Sequence, residues 1–489
     1  MDPPSDRRPG TCRRGHRVFP RAVRKGCVAR RFVAAGGVGC VQLRASGRRP
    51  WVGKRRVWRP GDGPRRSRLF TIRDGSGGQL MFPRSHGDVA SMDVATQVLT
   101  AREPRAGAGG AGVRVCHLTS VHIPFDTRIF EKECQSLVAA GYDVHLVAPA
   151  AESTRMRGVT IAAVPRARGR LSRALVTTTR VLVRALRARA HIYHFHDPEL
   201  IPVGVVLRML GKHVVYDAHE DVPADILDKP YLPRWLKAGL ARVMDVVERV
   251  GTSTLSRVVA ATPAIARRFP PARCVVVQNF PVATEFGPVA GSPYARRGPV
   301  VAYVGLINEI RGTIEMVHAI AEVCAHQDAR LVLGGRFEPP AFAAQARALD
   351  GWRHVEYRGE LSRARVVEML AEARLGLVLF HPRPNHLESQ PNKLFEYMAA
   401  GLPVVASSFP LWKEIVEGSR CGLVVDPLDP HATANAIRWL LAHPDEAEAM
   451  GARGRQAVQE RFNWRQEEAT LLDCYARLCP QSAPQRAPA

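Results

Sequence analysis

From Val113 onward, the 489-residue chain alternates between short apolar runs typical of buried strands and longer amphipathic stretches typical of helices. Strands that alternate with helices predict parallel, doubly wound sheets with helices on both faces. A stretch containing Gly and Pro, residues 286–298, interrupts the alternation, which then restarts. The fold class is therefore α/β, with two Rossmann-like domains whose strands end at a shared cleft.

Changes in composition predict the domain boundaries. Residues 1–110 hold 24 of the 70 Lys and Arg residues but only 7 of the 45 Asp and Glu, and they show neither helical nor strand periodicity. Such a segment buries too little apolar surface to offset the entropy of ordering, so we expect a disordered, Arg-rich tail. The predicted folded domains are residues 111–290 and 291–465, followed by a C-terminal helix and tail over residues 466–489.

Two carboxylates eight residues apart, Glu388 and Glu396, form the most informative local motif. The first is predicted in a loop and the second about one turn into an apolar helix. The N-terminus of such a helix presents free backbone N–H groups where a phosphate can bind. A carboxylate one turn further can accept hydrogen bonds from ribose hydroxyls. The structural alternative is an ordinary amphipathic helix with surface Glu.

The run Glu388-Ser-Gln-Pro-Asn-Lys-Leu-Phe-Glu396 resembles the Glu-x7-Glu signature of family 4 glycosyltransferases, the retaining "group 1" enzymes that use nucleotide sugars. The resemblance covers about Val113 to Leu478. It implies the GT-B fold, with an acceptor-side N-terminal domain and a nucleotide-sugar-binding C-terminal domain. The segments 120–133 and 215–221 further resemble a subset found with bacterial surface polysaccharide synthesis.

The resemblance places the donor site in the C-terminal domain, where a predicted strand ends at a glycine and a turn follows. Arg311 and Lys393 are expected to neutralise the departing diphosphate, although Leu306 stands where family members commonly carry a further cation. A solvated loop is the structural alternative for the Arg, and a tight turn for the glycine pair at 334 and 335. The implied donor-binding residues are Gly305, Arg311, Gly334, Gly335, Glu388, Lys393 and Glu396.

On the N-terminal half, His194-Phe-His196-Asp-Pro-Glu-Leu closes a predicted strand. A histidine at the carboxyl end of a sheet should face the cleft, and the resemblance implies that His196 is the active-site histidine, with His194 in the core. The implied catalytic set is His196, Glu388, Arg311 and Lys393. The acceptor-side candidates are Asp126, Arg128, His219 and Glu220. A helix N-cap explains Asp126 and Arg128 equally well.

No cluster of His, Cys and Asp has metal-ligand spacing, and no Asp-x-Asp motif could hold a nucleotide-bound cation. We therefore expect no metal and no cofactor, with a nucleotide-diphosphate sugar as co-substrate. The predicted function is a retaining glycosyltransferase that moves this sugar to a hydroxyl acceptor in polysaccharide or glycolipid synthesis. A non-hydrolysing nucleotide-sugar epimerase and a catalytically silent GT-B binding protein are the alternatives.

The expected location is cytoplasmic, because the ten cysteines form no C-x-x-C pair and several lie in apolar runs. No run approaches the ~18 apolar residues of a spanning helix. Arg173, Arg180, Arg184 and Arg187 on a predicted helix, 171–190, suggest peripheral contact with anionic membrane, which would suit a saccharide or lipid-linked acceptor. A solvated cationic face is the alternative. Nucleic acid is not an expected partner, since the basic tail lacks interleaved aromatic residues.

Overall fold

The computed structural model describes residues 112–479, except 167–168, 170–172, 230–231 and 287–293. The predicted disordered tail, residues 1–110, lies outside the described residues, as does the C-terminal end from residue 480. Most of the predicted interdomain linker is also outside them.

An eight-stranded sheet organises the first half of the described chain, in the order β3-β4-β2-β1-β5-β6-β7-β8. Its neighbours are parallel, except that β3 pairs antiparallel with β4. The strands are β1 (Arg114–Leu118), β2 (Asp143–Pro149), β3 (Thr154–Met156), β4 (Val159–Val164), β5 (Ile192–Phe195), β6 (His213–Ala218), β7 (Arg257–Ala260) and β8 (Cys274–Val276). The helices are α1 (Gln135–Ala139), α2 (Thr178–Ala188), α3 (Ile201–Met209), α4 (Val222–Asp228), α5 (Arg234–Ser253) and α6 (Pro263–Ala266). A π-helical segment leads into each of α1 and α2, at Thr127–Cys134 and Arg173–Thr177 respectively.

A six-stranded, fully parallel sheet organises the second half, in the order β11-β10-β9-β12-β13-β14. Its strands are β9 (Val300–Val304), β10 (Arg330–Gly334), β11 (Val355–Gly359), β12 (Leu375–Val378), β13 (Val404–Ser407) and β14 (Gly422–Val425). The helices are α7 (Thr313–Cys324), α8 (Phe342–Arg347), α9 (Arg363–Glu372), α10 (Pro384–Leu387), α11 (Asn392–Ala399), α12 (Pro410–Gly418), α13 (Pro430–Ala442), α14 (Pro444–Glu460) and α15 (Trp464–Leu478).

The predicted α/β class, with two doubly wound parallel sheets, is confirmed. The strands of the second sheet lie where the apolar runs predict them. β12 and β13 are buried throughout, as expected for strands covered on both faces, whereas β11 is only partly buried. The β3–β4 hairpin was not predicted. Its outer strand is wholly exposed and carries no buried stripe, and its turn is formed by Arg157 and Gly158, which both have positive φ.

Helix α11 is the most deeply packed element near the cleft, since every residue from Lys393 to Ala399 is buried. The hydroxyl of Tyr397 accepts the backbone N–H of Val304 at 2.9 Å, which ties the helix to the end of β9. Gly376 on β12 leaves room for the same ring, because a Cβ there would lie 2.3 Å from it. The helix that carries two predicted donor residues is therefore fixed by the core.

The last helix, α15, returns to the N-terminal sheet. The indole Nε1 of Trp464 donates to the Ser136 hydroxyl at 2.9 Å, and Tyr475 is fully buried in the N-terminal core. Where the chain crosses back, the N–H of Trp464 donates to the carbonyl of Pro281 at 2.9 Å. The Glu467 carboxylate likewise accepts the N–H of Gln278 at 2.7 Å. The segment that leaves the N-terminal half, 278–281, is thus hydrogen-bonded to the segment that returns to it, 464–467.

The loops after β9 and β10 approach each other closely at two glycines. Gly335 has φ +150°, and a Cβ on it would lie 1.8 Å from the carbonyl oxygen of Gly305. Gly305 itself has φ +124°. The N–H of Gly305 donates to the carbonyl of Gly334 at 2.8 Å. Glycine at 335 is therefore required by this contact.

We predict that Gly335→Ala lowers the free energy of unfolding by at least about 1–3 kcal/mol, because it combines a disfavoured backbone conformation with a backbone clash. Urea unfolding of both proteins measures the change. Gly239→Ala is the matched control: this glycine lies inside α5 with open space around it, so Ala should stabilise by about 0.5–1 kcal/mol. A Gly335 variant as stable as the parent would contradict the packing described.

Candidate active site

A cleft of about 730 Å³ lies between the two sheets and is lined by residues of both. Several residues that line the cleft come directly after strands: Gly305 follows β9, His219 follows β6, and Thr262 lies two residues after the end of β7. Parallel strands end at one edge of each sheet, so their following loops converge there. Among the residues predicted for the site, the lining includes Gly305, Arg311, Glu388, Lys393, Glu396, Asp126, Arg128, His219 and Glu220.

Two cations without a carboxylate partner among the described residues face the C-terminal side of the cleft. Lys393 is buried, and its Nζ has no hydrogen-bond partner and lies 3.7 Å from the Tyr303 ring centroid. The Arg311 guanidinium stacks on Phe380 at 4.6 Å. Burial, and then the charge of Arg311, hold the pKa of Lys393 well below its usual range. A bound anion would offset both effects by stabilising the charged form of Lys393, so we interpret these two groups as a candidate anion site.

The glycines near this anion site have different surroundings. A Cβ at Gly305 would lie 3.1 Å from the Lys393 Nζ, so this glycine keeps the backbone close to the ammonium group. Gly334 and Gly335 do not line the cleft. A Cβ at Gly334 would instead lie 2.6 Å from Leu361. These contacts favour the tight-turn interpretation of the pair, and its predicted donor contact stays a prediction.

Glu396 lines the cleft with its carboxylate already bonded. One of its oxygens accepts from Arg363 Nη1 at 2.6 Å, and the same guanidinium forms two bonds to Glu285. Arg363 was not recognised in the sequence, since an Arg at the start of an amphipathic helix carries no distinctive signal. The Arg363 guanidinium, held by Glu285, fixes the orientation of the Glu396 carboxylate before any ligand binds. The predicted ribose contact stays a prediction.

Glu388 lies at the end of α10 and forms an ion pair across the cleft. Its carboxylate pairs with Arg267 of the N-terminal half at 2.6 Å, and both side chains are 63% exposed. The Trp412 indole donates to the carbonyl of Ser389 at 2.7 Å, which holds the neighbouring backbone. Exposed pairs contribute little stability, so a ligand can displace this one at low cost.

Asp126 caps the first helical segment on the opposite wall. Its Oδ1 accepts the N–H groups of Arg128 at 2.8 Å and Ile129 at 3.0 Å. His122, which the sequence did not single out, lies between carboxylates, 3.5 Å from Asp126 and 3.4 Å from Asp197. The N-cap interpretation of Asp126 therefore describes its contacts, while the carboxylate still lines the cleft.

Arg128 reaches inward, where its Nε and Nη2 bond both oxygens of Asp217 at 2.9 and 2.7 Å. Its Nη1 donates to the carbonyl of Val277 at 3.1 Å. The side chain is only 6% exposed. A guanidinium engaged in this way supports the wall of the cleft, and its predicted acceptor contact stays a prediction.

The placement expected for His196 was wrong. It is fully buried and does not line the cleft. Its Nδ1 is bonded to Asp217 at 2.9 Å, and its Nε2 lies 3.0 Å from His117 Nδ1. Burial lowers its pKa, although the bond to Asp217 acts in the opposite direction. The ring of His219, in the loop after β6, has its centroid 6.4 Å from that of the His196 ring. His194 is fully buried, as expected.

His219 is the predicted histidine that does reach the cleft. Its Nδ1 lies 3.5 Å from Asp217 Oδ2, and the side chain is 17% exposed. Burial lowers its pKa, but the hydrogen bond and charge of Asp217, together with Glu220, outweigh burial and raise the pKa to about 9. The N-terminal wall therefore presents an imidazolium at neutral pH. Glu220 also lines the cleft.

Two protein families match the chain, one in each half. The family described as "Glycosyl transferases group 1" matches residues 298–443, and the "Glycosyl transferase 4-like domain" matches residues 127–279. Together these segments cover more than half of the chain. They coincide with the second and first sheets.

Among curated proteins, a D-inositol 3-phosphate glycosyltransferase of Xylanimonas cellulosilytica is 30% identical over 184 residues, 37% of this chain and 42% of that enzyme. The chain spans about half the length of the curated relatives it matches.

Among solved structures, sucrose-phosphate synthase from Thermosynechococcus elongatus aligns with a TM-score of 0.61 at 20% identity, over 75% of this chain and 99% of its own. The Anabaena protein HepE, solved in complex with UDP and glucose, aligns with a TM-score of 0.57 at 14% identity, over 75% of this chain and 100% of its own. These likenesses show a shared GT-B fold. With both halves matched and the fold shared, the chain belongs to the group 1 glycosyltransferases of family 4.

Proposed function

We propose that this protein is a retaining glycosyltransferase that moves a sugar from a nucleotide-diphosphate sugar to a hydroxyl acceptor. The observation that carries the proposal is the pair of Arg311 and Lys393, two cations without a carboxylate partner among the described residues at the floor of a two-walled cleft. A buried, unbonded ammonium is costly unless a ligand supplies its counter-charge. A diphosphate carries negative charge on both of its phosphates, so it can bind two neighbouring cations.

The cations would act mainly on the leaving group. Charge accumulates on the diphosphate as its bond to the sugar breaks, and fixed cations in a site that excludes water stabilise it strongly. Arg311 and Lys393 supply two positive charges there, so we propose that the diphosphate departs without a metal ion. In the proposed front-face substitution, the donor phosphate oxygen accepts the proton of the attacking hydroxyl. The protein supplies no nucleophile.

The rest of the donor would extend along the same wall. Glu396, whose carboxylate is bonded to Arg363, would accept hydrogen bonds from ribose hydroxyls. Glu388 would bond hydroxyls of the transferred sugar after releasing Arg267. The structural relative HepE forms a complex with UDP and glucose, which supports a nucleotide-diphosphate sugar as donor. No cofactor is proposed.

The acceptor would bind against the N-terminal wall, where His219, Asp126 and Glu220 line the cleft. Imidazolium and carboxylates at hydrogen-bonding range suit a saccharide with many hydroxyls. We propose that the acceptor is a saccharide or a lipid-linked saccharide of polysaccharide or glycolipid synthesis. We also propose a cytoplasmic location. Across the described residues, no helix combines the length and apolarity needed to cross a membrane.

The deciding experiment incubates the purified chain with a panel of nucleotide-diphosphate sugars, with and without saccharide acceptors. Transfer that keeps the anomeric configuration of the donor, read by NMR coupling constants, supports the proposal. An inverted product would refute retention. A changed sugar configuration with donor alone would identify the epimerase alternative. Binding without turnover across acceptors would favour the silent binding protein.

We predict that Lys393→Met weakens nucleoside diphosphate binding by about 10- to 150-fold, since a charged hydrogen bond contributes about 1.5–3 kcal/mol. Because the change also removes a buried amine without a hydrogen-bond partner, the free energy of unfolding should stay equal or rise. Calorimetric titration and urea unfolding measure the two effects. The control Lys413→Met alters an exposed lysine on α12 and should leave affinity unchanged. Unaltered affinity in Lys393→Met would refute the anion site.

We predict a pH dependence of stability from His219. Its pKa is higher in the folded chain, about 9, than its ordinary value of 6.5. Its stabilising contribution is therefore complete below pH 6.5 and is lost as the pH rises through 9. Stability of the wild-type protein should fall more between pH 6.5 and 9 than that of His219→Gln. The control His318→Gln, an exposed histidine on α7, should keep the wild-type profile. Identical profiles for all three proteins would contradict the assignment.

We also propose peripheral contact with anionic membrane through α2, whose exposed side chains include Arg180, Arg184 and Arg187. Leu175, Val183 and Leu186 are exposed beside them.

Each cation near an anionic surface contributes about 1 kcal/mol. Replacing the three arginines by Gln should therefore weaken sedimentation with anionic vesicles on the order of 100-fold at low salt. The control replaces Arg330, Arg336 and Arg365, three exposed arginines of the C-terminal domain. Equal losses in both triple variants would show nonspecific attraction only.

A further inference from the structure

Four side chains with metal-binding atoms converge inside the N-terminal domain, below the floor of the cleft. His117 lies on β1, His194 on β5 and His196 at the end of β5, while Glu133 comes from the π-helical segment above them. β1 and β5 are parallel neighbours with His117 opposite His194. Successive residues of a strand point to opposite faces. His194 and His196 are two apart, so the three imidazoles share one face of the sheet.

The four ligand atoms lie close together, within 4.8 Å of one another. His117 Nδ1 and His196 Nε2 are 3.0 Å apart, and Glu133 Oε2 lies 3.8 Å from the first and 3.9 Å from the second. His194 Nδ1 is also 3.8 Å from Oε2. Ligand atoms bound at about 2.0–2.1 Å to a tetrahedral ion lie about 3.3 Å apart. Small side-chain movements would therefore bring the set to coordination distance.

The cluster is incompletely bonded as it stands. All four side chains are fully buried. Neither oxygen of Glu133 makes a hydrogen bond, although Oε1 lies 3.1 Å from Arg128 Nε, and His194 Nε2 has no partner. The gaps of 3.8–3.9 Å from Oε2 to the imidazoles are too long for hydrogen bonds. Unbonded buried polar atoms are costly, and an ion bound at Glu133 Oε2 would satisfy that oxygen.

Burial and the neighbouring histidines lower the pKa of His117 and His194. A neutral imidazole is the form that binds metals. Burial, and then the charge of Asp217, raise the pKa of Glu133 against the opposing effect of Arg128. A protonated Glu133 is the competing state, but it has no acceptor within hydrogen-bonding distance among the imidazoles.

The surrounding groups also resemble the outer sphere of a metal site. His196 Nδ1 is bonded to Asp217 at 2.9 Å, as in the carboxylate–histidine–metal arrangement. The Tyr475 hydroxyl lies 2.7 Å from His194 Nδ1 and 3.4 Å from His117 Nε2. When His194 Nδ1 binds the ion, the hydroxyl can turn to the His117 nitrogen. The orientations of the His196 and His117 imidazoles are therefore supported from outside.

We propose that His117 Nδ1, His196 Nε2, His194 Nδ1 and Glu133 Oε2 bind one divalent transition-metal ion, with Zn²⁺ favoured by the three-imidazole, one-carboxylate set. The site holds no open position toward solvent, so the ion is structural and takes no part in sugar transfer. It fastens β1, β5 and the first helical segment together below the cleft. This proposal does not depend on the proposed transferase activity.

The first test uses the full chain without a polyhistidine tag. After gel filtration, elemental analysis should find one Zn²⁺ per chain, or one Co²⁺ after exchange, with the visible absorption of four-coordinate Co²⁺. Removal of the ion by a chelator should lower the melting temperature, and added Zn²⁺ should restore it. A chain that retains no Zn²⁺ or Co²⁺ after incubation, and melts equally with and without chelator, would overturn the proposal.

Variants locate the ion. Glu133→Gln and His117→Asn should weaken Zn²⁺ affinity at least about 100-fold, and Tyr475→Phe, which keeps all four ligands, about 10- to 100-fold. The control His386→Gln changes a buried histidine of the C-terminal domain and should keep the full affinity. If Glu133→Gln or His117→Asn do not fold, Tyr475→Phe and the altered Co²⁺ spectrum still decide. Undiminished binding in every variant would place the ion elsewhere and refute the site.

Discussion

The burial of α11 is the constraint on which the donor side depends. Lys393 and Glu396 are held on a helix whose next residues, Leu394, Phe395 and Tyr397, fill the core of the C-terminal domain. Neither side chain can move far without disturbing that packing. The Nζ of Lys393 therefore stays beside the Tyr303 ring, where it has no hydrogen-bond partner among the described residues. The packing of α11 therefore holds the Lys393 side chain in an unfavourable environment, where an anionic ligand would stabilise its charge.

The N-terminal wall is organised differently, by buried charge and not by apolar packing. The Asp217 carboxylate is hydrogen-bonded to Arg128 through Oδ1 and to His196 through Oδ2. His219 Nδ1 also lies 3.5 Å from Oδ2. Its pKa is held well below the usual range by Arg128 and the histidine hydrogen bonds, despite burial. Removing one partner from such a network leaves an uncompensated buried charge, so its members depend on one another. One carboxylate thus positions the groups that form this side of the cleft.

The sequence predicted much of the architecture because apolar periodicity reports burial directly. The second sheet follows from apolar patterns within short segments, whereas the placement of Glu388, Lys393, Glu396 and Arg311 at one cleft was implied by the family resemblance. His196 shows the limit of this reasoning: the end of its strand was predicted correctly, but its burial involves contacts with residues distant in sequence, His117 and Asp217. The partnership of Arg363 with Glu396 joins residues 33 positions apart, and no local pattern encodes it.

The two hydrogen-bonded crossings between the halves have a mechanical consequence. Pro281 and Gln278 on the outgoing chain are bonded to Trp464 and Glu467 on the returning chain. These two hydrogen bonds couple the connecting segments, so separating the two halves at this point would break both of them. Separating the walls of the cleft where Arg267 meets Glu388 would break only one exposed ion pair, which contributes little stability.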